Sequence, residues 1–139
     1  EIAARRNTDR LCPWGDASPH TGERAAAIYI RDNAFVGTTP VGAFPRGHTP
    51  EGIWDMAGNV FEWCASRFPG AVEDDLRIGG DGDIGSGEVV YRGGSWARGP
   101  DALAISYRGD HPPGLFRSDV GFRVICRPAI RRRSRKTSG

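Results

Sequence analysis

The chain has 139 residues, which is enough for one domain with a buried core. Its 20 Gly, 10 Pro and ordinary charged fraction of 26% indicate a loop-rich fold with short strands and argue against a helix bundle or a disordered chain. The net charge of +2 comes largely from the last nine residues, so no nucleic-acid partner is predicted, and no apolar run approaches the roughly 18 residues of a membrane span.

Turn-forming and short apolar stretches alternate along the first half of the chain. Residues 1–10 hold the end of a helix, and "CPWGD" (12–16) predicts a turn that Trp14 anchors. "AAAIYI" (25–30) is typical of a short strand or turn. In 36–44, Gly and Pro interrupt β-branched residues, which favours an edge strand.

The second half contains the main strands. "GIWDMAGNVFEWCAS" (52–66) is predicted to supply much of the core, and the acidic, Gly-rich 67–88 a long surface loop. Strands are predicted in "VVYRGGSWA" (89–97) and "VGFRVICRP" (120–128). Residues 129–139 are predicted to form a basic disordered tail, separate from a domain that ends at residue 128.

The three cysteines, Cys12, Cys64 and Cys126, fit no metal-ligand spacing. Two of them are able to pair, but buried thiols in a reducing compartment are the favoured interpretation.

Two carboxylates in the core stretch have the chemistry of a calcium site. Asp55 and Glu62 lie seven residues apart, and the carbonyls of Gly58 and Val60 lie between them on a turn. Calcium takes hard oxygen ligands of both kinds. The alternative is that these carboxylates cap backbone N–H groups or pair with Arg.

Several short sequence motifs together resemble those of the formylglycine-generating enzyme (sulfatase-modifying factor) family. They are, in the family's order, "EIAAR", "PWGD", "TTPVGAFP", "GIWDMAGNVFEWC", "YRGGSW" and "VGFR". The resemblance covers residues 1–128, which correspond to about the C-terminal half of that domain, and implies a missing N-terminal part that packs against this one. The implied fold is α+β and C-type-lectin-like, loop-rich with short antiparallel strands.

The resemblance also implies metal sites. The family's first calcium site falls on Asp55, Gly58, Val60 and Glu62. A second and weaker calcium site would use Ile28, Asn33 and Phe35, with Ala27 standing where an Asn ligand is expected.

The family's oxidase chemistry is not expected here. Its copper-binding cysteines would fall at about Arg98 and Leu103, and no cysteine lies between Cys64 and Cys126. Neither side chain present supplies a thiolate for copper. The enzyme alternative is therefore an oxidoreductase of the formylglycine-generating or sulfoxide-synthase type, with its catalytic residues in a missing N-terminal part.

The region from Trp96 to Arg123 resembles the variable region of diversity-generating retroelement proteins, which share the lectin-like fold. Their "GGSW…R…P…GFR" frame is present, with Pro100, Leu103 and Arg108 among the frame positions. Adenine-directed mutagenesis of Asn codons in that family excludes Lys, Glu, Gln, Met and Trp. Residues 97–119 contain none of the five.

This resemblance predicts a non-catalytic binding protein for an unknown protein or other surface ligand. It would be cytoplasmic, or displayed on a surface through the missing N-terminal part. Trp96, Arg108, Phe122 and Arg123 would hold the variable segment. The predicted ligand-binding residues are Ala97, Arg98, Gly99, Asp101, Ala102, Ala104, Ile105, Tyr107, Gly109, Asp110, His111, Leu115, Phe116, Arg117, Ser118 and Asp119.

Overall fold

The computed structural model describes residues 2–5, 8–17, 37–67, 88–114 and 116–124. The apolar run 25–30, nearly all of the acidic loop 67–88, the weaker calcium residues Ile28, Asn33 and Phe35, Leu115, Cys126 and the tail 129–139 lie outside these ranges. In the part that is described, no helix is long and apolar enough to cross a bilayer.

One short α-helix, one 3₁₀ helix and four strands form the regular structure of the described ranges. Helix α1 covers Ile2–Arg5. The strands are β1 (Phe61–Arg67), β2 (Val89–Arg92), β3 (Gly109–His111) and β4 (Val120–Phe122). They form one sheet in the order β3-β2-β1-β4. The strands that the sequence predicted over 89–97 and 120–128 are confirmed over the shorter ranges Val89–Arg92 and Val120–Phe122.

The sheet is mixed rather than purely antiparallel. β2 pairs antiparallel with β1 and with β3, whereas β4 runs parallel to β1, with Phe61 opposite Val120. A parallel pair needs a long crossover. The chain supplies it between β1 and β4 by passing through β2, β3 and the predicted variable segment. The predicted α+β, C-type-lectin-like class is confirmed, and this parallel pair is the departure from its antiparallel pattern.

The core lies on the aromatic side chains of β1 and β2. The rings of Phe61 and Tyr91 pack edge to face with their centroids 4.6 Å apart, and those of Trp63 and Tyr91 do so with their centroids 5.8 Å apart. Such edge contacts stabilise by about 0.5–1.5 kcal/mol beyond burial. A second cluster joins Ala57 and Leu103, with Trp14 packed against them. The prediction that 52–66 supplies core residues is correct for Phe61, which is buried, but Trp54 is 40% exposed.

Two predictions for the first half have opposite outcomes. The "CPWGD" turn is confirmed, since Cys12 and Gly15 exchange both backbone hydrogen bonds at 2.9 and 3.0 Å and the Trp14 indole donates to the Ala17 carbonyl. The edge strand predicted for 36–44 is wrong over its described part, 37–44. The Ala43 N–H donates to the Pro40 carbonyl at 3.2 Å, so this stretch turns instead of extending.

Candidate ligand-binding surface

The two ends of the predicted variable segment, residues 97–119, meet at one buried carboxylate. The Ser95 hydroxyl, just before the segment, donates to Asp119 Oδ2 at 2.9 Å. Arg117 donates to both oxygens of Asp119, at 2.7 and 2.9 Å. Ser95 is 0% exposed and Asp119 is 2% exposed. The segment is therefore closed at its base.

The charge of Asp119 is compensated where it is buried. Burial alone would raise its pKa, but the hydrogen bonds from Arg117 and Ser95 outweigh burial and hold the pKa below its ordinary value of 3.8. The same pairing raises the pKa of Arg117. This carboxylate is therefore ionised at neutral pH.

Further anchors fix the middle of the segment. A 3₁₀ turn, Pro100–Leu103, buries Leu103 to 1% exposure. The Ile105 N–H donates to the Leu11 carbonyl at 2.8 Å, and Arg92 Nη1, from β2, donates to the carbonyls of Ile105 and Tyr107 at 2.7 and 3.3 Å. The buried side chains of Leu103 and Arg92 thus hold the segment to the scaffold.

The predicted binding residues separate into three groups by exposure. The exposed group is Arg98, Gly99, Asp101, Phe116 and Ser118. The half-buried group is Ala97, Ala104, Tyr107, Asp110, His111 and Arg117. Four residues predicted to face a ligand are instead buried: Ala102, Ile105, Gly109 and Asp119. The accessible surface is accordingly smaller than the sequence predicted.

The burial of Gly109 has a specific steric cause. A Cβ atom at this position would lie closer than 3.0 Å to three atoms of the Tyr91 ring, including the hydroxyl oxygen at 2.7 Å. Tyr91 is itself buried and packed against Phe61. Gly109 therefore serves β2–β3 packing, and a side chain at this position would require that packing to shift.

The outer surface includes an open cleft beside β4. Its volume is about 600 Å³, and its walls include Trp63, Pro113, Phe116, Arg117 and Phe122. Phe116 is 96% exposed. Trp63 and Pro113 were not among the predicted binding residues. Phe122 was predicted to hold the segment from within, but it is largely exposed and lines the cleft.

A carboxylate pair lies near the other end of the sheet. Glu88 is exposed, and its pKa is raised because its side chain hydrogen-bonds to that of Asp110 and is repelled by its charge. Asp110 and its neighbour His111 lie on β3, opposite Val90 and Val89 of β2. Glu88 and Asp110 thus give this edge of the sheet an acidic character.

The carboxylates of the predicted calcium site have protein partners in this structure. Asp55 Oδ2 accepts the Gly42 N–H at 2.8 Å. Arg123 donates to both oxygens of Glu62 at 2.9 and 2.8 Å, and also to the Trp54 and Asp55 carbonyls. These are the capping and Arg-pairing roles that the sequence left open. Calcium at this position stays a prediction.

Two of the three cysteines, Cys12 and Cys64, lie in the described part. Cys12 is a buried thiol, and Cys64 is half-buried. Burial, and then the charge of Asp16, raise the pKa of Cys12 to about 11. A thiol with so high a pKa is a poor nucleophile and metal ligand at neutral pH.

A small mixed sheet that carries a long, anchored and irregular segment places the chain in the C-type-lectin-like class of formylglycine-generating-enzyme type. Residues 1–128 match the sulfatase-modifying factor enzyme 1-like domain, and the chain belongs to that family.

Relatives of several functions share this domain. The chain is 36% identical over 115 residues to a hercynine oxygenase of Mycolicibacterium thermoresistibile, covering 74% of this chain and 24% of that protein. It is 32% identical over 134 residues to the inactive C-alpha-formylglycine-generating enzyme 2 of Bos taurus, covering 88% and 40%. The chain thus spans less than half the length of either relative.

A solved structure is also similar. Treponema denticola variable protein 1 superimposes with a TM-score of 0.60 and 29% identity, covering 86% of this chain and 42% of that one. The resemblance to a variable protein that the sequence predicted is thereby confirmed at the level of fold and family.

Proposed function

We propose that this protein binds a ligand without catalysis, through the exposed part of residues 97–119, as a diversity-generating retroelement variable protein does. One observation carries the proposal. Leu103, Ile105 and Asp119 are buried and anchor the segment, while Arg98 and Phe116 of the same segment are exposed. A rigid frame with adaptable exposed residues is the usual construction of a recognition surface.

The chemistry of the surface supports binding of a protein or other surface ligand. Arg and aromatic residues are common interface anchors, and the cleft combines Phe116, Phe122 and Trp63 with the Arg117 guanidinium. The charge of Arg117 is balanced by Asp119. The cleft therefore favours an apolar or aromatic group over a free anion.

The packing of Leu103 argues against the copper chemistry of the family. This position corresponds to one of the expected cysteines, and here its side chain is 1% exposed within the core cluster. The other corresponding position, Arg98, is exposed. Under the proposed function, Leu103 supports the scaffold and Arg98 belongs to the recognition surface.

The likeness to a hercynine oxygenase favours a second candidate function. In that case the chain would be part of an oxidoreductase whose catalytic residues lie in an N-terminal part. The two candidates differ in a simple observation on the full-length protein. A His-rich N-terminal domain would favour the oxidoreductase, and an adjacent reverse transcriptase with a near-copy template would favour the variable protein.

Calcium is proposed as a structural ion of the scaffold. Asp55 and Glu62 would bind it through side chains, and Gly58 and Val60 through carbonyls. This donor set is composed of hard oxygens, which suits calcium, and an ionised carboxylate has about four lone-pair sites, so Glu62 keeps acceptor capacity beside Arg123. The ion would supply cross-linking of the turn and no catalytic chemistry.

Deep sequencing of the gene across a cultured population tests the proposed function. Substitutions are expected at exposed positions such as Arg98, Asp101 and Phe116, at codons that match adenines in a template copy. The codons of 37–59 serve as the internal control and should be uniform. A uniform sequence throughout 97–119 would overturn the proposal.

A further inference from the structure

The base of the variable segment is built from few residues, which lie close together on the scaffold. At the entry, the Trp96 N–H donates to the Asn59 carbonyl at 2.8 Å. At the exit, the Phe61 N–H donates to the Asp119 carbonyl at 2.8 Å. Both ends of a segment of more than 20 residues are therefore attached to positions two residues apart, at the start of β1.

Side chains reinforce the same point. Asp119 accepts the Ser95 hydroxyl and a bidentate Arg117, and Ser95 Oγ in turn accepts the Ala97 N–H at 3.3 Å. Charge-assisted, bidentate bonds of this kind are among the strongest in proteins. β4 begins at the next residue, Val120, opposite Phe61. The carboxylate thus joins the segment, its entry and the β1–β4 pairing.

We propose that Ser95, Arg117 and Asp119 form a clamp that closes the base of the segment and lets the exposed positions between its ends be substituted without loss of the fold. Neither of the exposed residues Arg98 and Asp101 takes part in the hydrogen bonds of this clamp. The cost of closing the loop is thereby met by the buried Ser95 and Asp119 together with Arg117, which also lines the cleft.

The clamp changes the assignment of two predicted binding positions. Arg117 and Asp119 were both predicted to vary, but the clamp requires a carboxylate at 119 and a donor at 117. This part of the inference relies on the proposed function and specifies it. At the C-terminal end of the segment, Phe116 and Ser118 are exposed and determine specificity, whereas Asp119 positions them.

Stability measurements on variants test the clamp without any ligand. Asp119→Asn and Ser95→Ala are compared with Asp101→Asn, a control that removes an exposed carboxylate from the same segment. Loss of a charged hydrogen-bond partner is expected to lower Tm by about 5–10 °C in Asp119→Asn. The control is expected to change Tm by less than about 2 °C.

Tolerance of the segment is tested by combining variants. The triple variant Arg98→Ala, Asp101→Ala, Phe116→Ala is expected to keep Tm within about 3 °C of the unmodified chain. With Asp119→Asn added, the loss is expected to exceed the sum of the separate losses, because the open loop then depends on its own contacts. If the separate losses in Tm simply add, the clamp is not what allows the segment to tolerate substitution.

Hydrogen exchange supplies a readout specific to the loop base. The amides of Trp96 and Phe61 are expected to exchange at least about tenfold faster in Asp119→Asn, under conditions where global unfolding does not limit exchange. Unchanged protection of both amides, or a Tm equal to that of Asp101→Asn, would refute the clamp. Ser95→Ala keeps the test informative if Asp119→Asn fails to fold.

Failure of the clamp and failure of the proposed function are distinguishable. Population sequencing that finds variation at Phe116 and Ser118 but none at Asp119 supports both. Free variation at Asp119, at the rate seen at Ser118, overturns the clamp and leaves the diversified surface standing. Uniform sequence with a destabilised Asp119→Asn leaves the clamp standing as a structural device.

Discussion

Replacement of Gly94 by alanine is the sharpest test of how the segment entry packs. Gly94 lies directly before Ser95 and has a φ of +73°, in the left-handed region. A Cβ atom there would lie 2.9 Å from the Ala102 carbonyl oxygen and 2.9 Å from Leu103 Cδ2. Because one of these neighbours is backbone in a 3₁₀ turn, it has little freedom to move aside.

The expected cost has two parts. Holding alanine at positive φ costs about 1–2 kcal/mol, and forcing a methyl group into a filled site costs about 1–3 kcal/mol. The sum, about 2–5 kcal/mol, is a large part of the 5–15 kcal/mol that stabilises a typical domain.

Gly52→Ala separates the two parts. Gly52 has a similar φ of +80°, but a Cβ atom there would meet nothing within 4 Å. It should therefore show only the conformational cost. In urea denaturation, the midpoint of Gly94→Ala should lie below that of Gly52→Ala by about 0.5–1.5 M, with an unchanged m value near 2 kcal/mol/M. Equal midpoints would show that the close approach to Ala102 is absent.

Four further outcomes are expected. Leu103→Ala should lower the free energy of unfolding by about 2–5 kcal/mol in urea titrations, whereas the exposed Val41→Ala should change it by less than about 0.5 kcal/mol. The folded-state pKa of Asp119 is lowered, so the stability it supplies should be present above its ordinary pKa of 3.8 and be lost as pH falls below that value. In Asp119→Asn, Tm should therefore fall less steeply as the pH is lowered through this acidic range. Cys12, with a pKa of about 11, should resist aromatic disulfide reagents at pH 8 until the chain is unfolded in guanidinium, and prompt labelling of a variant retaining Cys12 as its sole cysteine would contradict its burial. Millimolar calcium should raise Tm in the unmodified chain but not in Glu62→Gln, and an equal rise in both would place the ion elsewhere.

Local sequence rules predicted the strands where propensity and packing agree. Val89–Arg92 is a β-branched and aromatic run that fits a buried strand. The same rules failed over 37–44, the described part of the stretch in which Val41 and the Thr residues suggested a strand. Pro40 and Gly42 sit at a turn there, and Gly42 has a φ of +75°. Turn chemistry therefore prevailed over β-propensity.

The site was harder to predict because burial within an irregular segment has no period. Gly109 is buried by Tyr91, 18 positions earlier, and Asp119 is buried by its bond to Ser95, which lies 24 positions away. No pattern in residues 97–119 encodes either contact. A signal was nevertheless present at Asp119, since Arg117 two positions earlier offers a guanidinium to the carboxylate.

Two ion pairs of the described part, Arg123–Glu62 and Arg117–Asp119, differ in how far water reaches them. Arg123 and Glu62 are each partly accessible, so water screens the pair and its loss should cost little. Asp119 has a side chain only 3% exposed, so its partners cannot be replaced by water. Calcium at Glu62 would consequently add stability only through mass action on an already paired carboxylate. The clamp at Asp119, by contrast, is required whatever the outer residues of the segment bind.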